Sequence, residues 1–318
     1  MIMYMPKSWV RASILIRINS LAKGHSGVRL VLIQPLLDLL SNDIIPHIPL
    51  RGRISASGDL MPLSYIGGAL TGSCKTLVWT KLGRISTAGI ALKEVSLEPI
   101  ILGAKEGLAI VNGTSVSAGI ATLVLHDANC LVILSQVLTA MSTEALNGSD
   151  GSLDPFFSKV RPHSGQRESS YNIYNFLVAS KLKKRNDGME EGTLPQDRYA
   201  IRTSSQWIGP VLEDFQVATR QLRFECNSAT DNPLLDMSVN SKRLLSGGNF
   251  QAKAVTSAME KVRVGLQSLG QMLFAQCTEL INPMLNNGLP PKLVATEPSR
   301  SFLMSSLCCS SRRYSFSW

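Results

Sequence analysis

Residues 115–146 form a nearly all-apolar run without proline, so this segment calls for a long helix whose surface has to be covered. His126, Asp127, Asn129 and Gln136 interrupt it, which fits burial in a helix bundle better than passage through a membrane. A second long segment, residues 250–282, meets no proline before Pro283. Strand signals are sparse. The expected fold is mainly α, a long-helix bundle in which loops cap helix ends.

Shorter elements fill in around these two. Residues 6–22 read as a helix, with Pro6 and Ser8 at its start and Val10, Ile14, Leu15 and Ile18 at helical spacing. Residues 28–41 read as a second helix that Pro35 kinks or shortens. Pro46 and Pro49 make residues 44–50 extended, and residues 75–87 suit a small hairpin or loop. A short element is expected over 92–101, with Gly103 and Gly107 breaking the pattern. Residues 147–191 look polar and irregular, with one short helix near 171–180, and residues 206–230 look helical.

Composition narrows the partners. Of 318 residues 44% are hydrophobic and 17% charged, which implies extensive burial in a core and at subunit interfaces. The net charge of +9 invites a nucleic-acid reading, but the 32 basic residues are dispersed and no nucleic-acid motif accompanies them. The densest cluster, residues 181–185, reads as a solvated surface. No nucleic acid and no membrane are therefore expected. Cys74, Cys130, Cys226 and Cys277 are isolated in mostly apolar segments and read as reduced core residues of a cytoplasmic protein. The four histidines lack ligand spacing, so no metal is expected. Residues 1–5 are too short for a signal peptide.

Chemistry concentrates in residues 51–72, RGRISASGDLMPLSYIGGALTG. Gly58 lacks the Cβ that would keep its nitrogen from the Ala56 carbonyl carbon, so Ala56-Ser57-Gly58 could close on itself. Loss of water from Ser57 would then leave a carbon electrophile. The plainer alternative is a Ser/Gly turn before a helix. Asp59 is open to two roles, helping closure or capping that helix.

This stretch, together with MPKSWVRASILIRINSLAKGHSGVRL upstream, resembles the aromatic amino acid ammonia-lyases, and PLSYI resembles their phenylalanine branch. The resemblance runs from about residue 6 to 304. It implies that Ala56, Ser57 and Gly58 mature autocatalytically into a methylidene-imidazolone, with no external cofactor. Asn112, in GLAIVNGT, is implied to contact the ring or the substrate. QDRYAIRT resembles the element whose second arginine, here Arg202, holds the substrate carboxylate, with Gln196 and Tyr199 lining the same pocket. Asn232 resembles a pocket residue, and Phe250 resembles the aromatic packed against the ring. Ser246 stands where many phenylalanine-type members have histidine.

The implied activity is non-oxidative elimination of ammonia from L-phenylalanine, with L-tyrosine as a second candidate substrate, to a trans-cinnamate-type product by a homotetramer. The family's loop tyrosine, which removes the β-proton, has no counterpart here, nor has its selectivity pair. Residues 1–304 are thus expected to be a helical core incomplete at both ends, and residues 305–318 an unrelated tail. The alternative function is a catalytically inactive truncated product that folds partly or joins a full-length homologue. Losing a positioned base commonly costs about 10²–10⁴-fold, so little turnover is expected of this chain by itself.

Overall fold

The structure is a computed structural model that describes residues 3–52, 58–184, 196–238 and 243–293. Ala56, Ser57 and residues 305–318 lie outside the described residues. Two compact units result. One comprises Met1–Asp127 with Val217–Glu260, the other Ala128–Gln216 with Lys261–Trp318.

In the first unit, α1 (Lys7–Ala22) follows Pro6, whose fixed φ suits a helix start. Val10, Ile14, Ile18 and Leu21 are buried at spacings of three and four, so one stripe of the helix faces the core. A 3-10 turn (Leu30–Leu32) leads into α2 (Ile33–Ser41). Pro35 falls in the first turn of α2, where a missing N–H costs nothing, so it shortens the helix and does not kink it. Strand β1 (Ile45–Pro46) pairs antiparallel with β2 (Leu77–Trp79), which pairs with β3 (Ile85–Thr87) in a hairpin. Helices α3 (Leu60–Leu70), α4 (Ala88–Glu94) and α5 (Glu106–Val111) complete the layer around Leu63, Ile66, Ala91 and Ile110.

Helix α6 (Ser115–Ala145) is the long apolar helix of the sequence. Gly119 lets it approach α1 closely, since a Cβ there would lie 3.0 Å from the Ser13 nitrogen. Across Glu106–Ala145 the most apolar stretch is 61% buried, as expected of a core helix. The second unit adds α7 (Pro155–Val160), α8 (Ser164–Leu177) and α9 (Tyr199–Arg202). Helices α10 (Ser204–Cys226) and α11 (Lys253–Ile281) each contribute residues to both units, and the β4–β5 ribbon (Leu234–Asp236, Arg243–Leu245) belongs to the first. The fold is mainly α, as the periodicity implies.

Three expectations need correction. The short element over 92–101 lies earlier, at Ala88–Glu94, where Ala88, Ala91 and Leu92 are buried. The described part of residues 147–191 holds two α-helices where one was expected. Asp154 accepts from the Phe156 N–H and Pro155 follows it, a local start signal for α7. The start of α8 is capped instead from α10: the Glu213 carboxylate accepts from the Gly165 N–H at 2.9 Å and the Ser164 hydroxyl at 3.0 Å. Such a cap leaves no trace in the local sequence. Finally, the isolated cysteines are not core residues, for Cys74, Cys130 and Cys277 are exposed and Cys226 is half-buried.

One buried carboxylate ties three segments of the first unit together. Glu106 accepts from Arg29 at its backbone N, Nε and Nη2 (3.0, 2.8 and 2.7 Å) and from the Gly103 N–H at 2.6 Å. The Arg29 side-chain bonds, chiefly, lower its pKa from 4.5 to about 2. The unfolded chain takes up this proton near pH 4.5 and the native chain only near 2, so the stabilisation is present above 4.5 and is lost as pH falls through that window. Glu106→Gln should flatten the acid limb of a plot of urea midpoint against pH between those values. An unchanged limb would show that Glu106 does not control it.

Candidate active site

The described end of the reactive segment is pressed against one backbone turn. Gly58 has φ +88, which favours glycine, and a Cβ added there would lie 2.7 Å from the Gly113 oxygen and 2.9 Å from its nitrogen. The Asp59 N–H donates to the Gly113 carbonyl at 2.8 Å. Asp59 does not cap its own helix. Its carboxylate accepts from the Ser117 N–H and hydroxyl, both at 2.7 Å, and so stabilises the start of α6. Asn112, buried at the end of α5, immediately precedes Gly113.

The same turn carries a second wall. The Thr114 N–H meets the Thr230 hydroxyl at 3.4 Å, and the Thr114 hydroxyl donates to Glu225. Thr230 is fixed in turn by the Ser20 hydroxyl, which accepts its N–H at 3.1 Å. Two residues on, the Asn232 side-chain oxygen accepts from the Gly247 N–H at 2.7 Å. The Asn249 amide donates to the Ala229 carbonyl at 3.1 Å, and Phe250, half-buried, follows directly. Gly58, Asn112 and Asn232 are thereby linked through Gly113 and Thr230. Phe250 is placed beside Ala229 through its neighbour Asn249.

Arg202, Gln196 and Tyr199 belong to the second unit. The Arg202 guanidinium donates to the Gln196 side-chain oxygen. Helix α9 is anchored from α11, because the buried Gln276 amide donates to the Ala200 carbonyl at 3.0 Å and to the Thr139 hydroxyl at 3.1 Å. Beside them, burial raises the Asp197 pKa although the Ser149 N–H donates to its carboxylate. Tyr199 is 63% exposed and edges an open cavity of about 530 Å³ that Trp207, Pro210 and Val264 also line. A guanidinium steadied by Gln196 can fork onto a carboxylate.

The family model described as aromatic amino acid lyase matches residues 1–313. The chain belongs to the aromatic amino acid lyases. Over 304 residues it is 52% identical to a phenylalanine ammonia-lyase of Aspergillus lentulus, covering 94% of this chain and 42% of that protein. A phenylalanine aminomutase of Talaromyces islandicus is 48% identical over 303 residues, again covering 94% and 42%. A crystal structure of phenylalanine ammonia-lyase from the yeast Rhodosporidium toruloides superimposes with a TM-score of 0.92 at 46% identity, covering 98% of this chain and 47% of that one. The chain thus spans less than half the length of these relatives.

Within this lyase, sequence reasoning missed the charged groups that underlie the turn. Lys105 Nζ donates to the Ser26 carbonyl at 2.6 Å and to Asp231 at 2.5 Å, and the Asp231 side chain is wholly buried. Arg17 is wholly buried too. A signal existed for it: Arg17 sits on the same stripe of α1 as Val10, Ile14 and Leu21. A cation on the apolar face of an amphipathic helix has to be doing something other than facing water.

Proposed function

We propose that this lyase carries the electrophile-forming and carboxylate-holding residues for elimination of ammonia from L-phenylalanine, giving trans-cinnamate. The observation that supports it most is the seat of Gly58 on Gly113, a contact with no room for a Cβ, in a segment reading Ala56-Ser57-Gly58. That geometry fits a methylidene-imidazolone formed from these three residues, because the backbone at Gly58 can be pressed into a turn only glycine tolerates. The group, when formed, supplies a carbon electrophile for the substrate's amine, which is otherwise a poor leaving group.

The remaining roles fall to side chains. Arg202 holds the carboxylate, and Gln196 fixes the guanidinium through their hydrogen bond. Tyr199 lines the substrate pocket, Asn112 and Asn232 contact the ring or substrate from the wall around Gly113, and Phe250 packs against the ring. In the elimination the substrate's C–N bond breaks, a β-proton leaves, and the electron pair left behind becomes the double bond of the cinnamate. L-Tyrosine is the alternative substrate, giving the hydroxylated product. A homotetramer in the cytoplasm completes the reading. It is supported by the exposed apolar side chains Leu131, Ile133, Leu134 and Leu138 on α6, and by the lack of a disulfide among the described residues.

Two measurements test this. Intact mass should fall short of the encoded mass by two waters, with the loss mapping to the peptide containing Ser57. Arg202→Met should weaken cinnamate binding about 10- to 100-fold, the worth of charge-assisted hydrogen bonds to a carboxylate. Full-mass, folded protein would refute the electrophile, and unchanged binding in Arg202→Met would refute the clamp.

A further inference from the structure

Helix α9 is only four residues long, a length at which a helix does not hold itself in water. Arg198, before its first residue, supplies no side-chain cap. Ala200 and Ile201 are buried, whereas Tyr199 is exposed and Arg202 half-buried. Three residues apart, Tyr199 and Arg202 lie on the same side of the helix. Whatever fixes the place of Arg202 must therefore come from neighbouring elements of the second unit.

One side chain of α11 reaches the backbone of α9. Gln276 continues the buried stripe of Leu269 and Met272, where an apolar residue would ordinarily stand, and is itself 1% exposed. Its amide nitrogen donates to the Ala200 carbonyl at 3.0 Å and to the Thr139 hydroxyl at 3.1 Å. The Ala200 carbonyl only accepts, so the nitrogen is the end of the amide that faces it. Thr139 in turn donates to the Ser135 carbonyl at 2.8 Å, so α6 holds the amide from behind. One turn further along α11, the Glu279 carboxyl feels the charges of Arg198 and Asp197 from the same segment. A polar group this deeply buried is costly unless its hydrogen bonds are made.

We propose that Gln276 is a positioning residue for the carboxylate clamp: it fixes α9 through the Ala200 carbonyl and so sets the place from which Arg202 meets a substrate carboxylate. The inference rests on the reading of Arg202 as that clamp. Gln196 steadies the guanidinium from its side chain, and Gln276 acts through the main chain two residues before it.

The test measures binding of cinnamate, and of cinnamyl alcohol as the same skeleton without the carboxylate, to the wild-type chain, Gln276→Met and Gln276→Asn. Methionine matches the volume of glutamine without its donor, and asparagine keeps the amide but falls a methylene short of Ala200. Either variant should weaken cinnamate about 3- to 10-fold, because the guanidinium is kept but is correctly placed for a smaller fraction of the time. Cinnamyl alcohol binding should stay within about twofold. In an Arg202→Met background, Gln276→Met should cost less than about a further twofold, since the two residues act through one contact. Cinnamate binding by folded Gln276→Met equal to that of wild type, beside weakened Arg202→Met, overturns this inference and leaves the clamp standing. Equal losses for both ligands, an undiminished loss on top of Arg202→Met, or failure of both Gln276 variants to fold makes Gln276 merely structural and overturns it too. Wild type that binds no cinnamate, or Arg202→Met that binds it as wild type does, fails the clamp reading and takes this inference with it.

Discussion

Gly58→Ala should leave the chain at full encoded mass and lower its stability by about 2–4 kcal/mol, the combined scale of backbone strain and overpacking. Both effects share one cause. Gly58 has φ +88, and a Cβ there would meet the Gly113 oxygen at 2.7 Å and its nitrogen at 2.9 Å. These are backbone atoms, so no rotamer change can relieve the contact. The turn they belong to is itself hemmed in, since a Cβ on Gly113 would sit 2.7 Å from the Thr230 oxygen. Alanine must therefore push residue 58 off its seat, and the Asp59 N–H bond to Gly113 is lost with it. Ser57→Ala separates the two consequences: it should abolish the loss of two waters while leaving urea stability close to that of immature protein. Gly58→Ala that dehydrates normally would mean that the seat on Gly113 plays no part in maturation.

The second large effect lies in the second unit, where α8 and α10 touch backbone to backbone. A Cβ on Gly209 would fall 2.5 Å from the Gln166 nitrogen and 2.8 Å from its Cα, and one on Gly165 would fall 2.1 Å from the Gly209 oxygen. In an open helix, replacing glycine by alanine stabilises by about 1 kcal/mol. Here overpacking outweighs that gain, and Gly209→Ala should destabilise by about 2–4 kcal/mol. Gly270 in α11 is the control, because nothing lies within 4 Å of its Cβ position. Gly270→Ala should keep the ordinary stabilisation. Equal changes at Gly209 and Gly270 in chemical denaturation would contradict the close α8–α10 contact.

What was legible in the sequence was whatever depends on short-range order. Apolar runs without proline determined α6 and α11, and the three-and-four spacing of Val10, Ile14 and Ile18 determined α1, because helix period and proline placement are properties of a few adjacent residues. The Ala-Ser-Gly string and its flanks were enough to identify the family, since that chemistry is written in consecutive residues. Tertiary structure decided the rest. It put Asp59 on Ser117 and not on its own helix, and it capped α8 with Glu213 from another helix. It also exposed cysteines whose apolar neighbours suggested burial. Above all, it brought Gly58, Gly113, Thr230 and Arg17 into one stack. Those four residues come from separate stretches of the chain, and no local propensity encodes which distant backbone a glycine will touch or which buried charge will lie behind it.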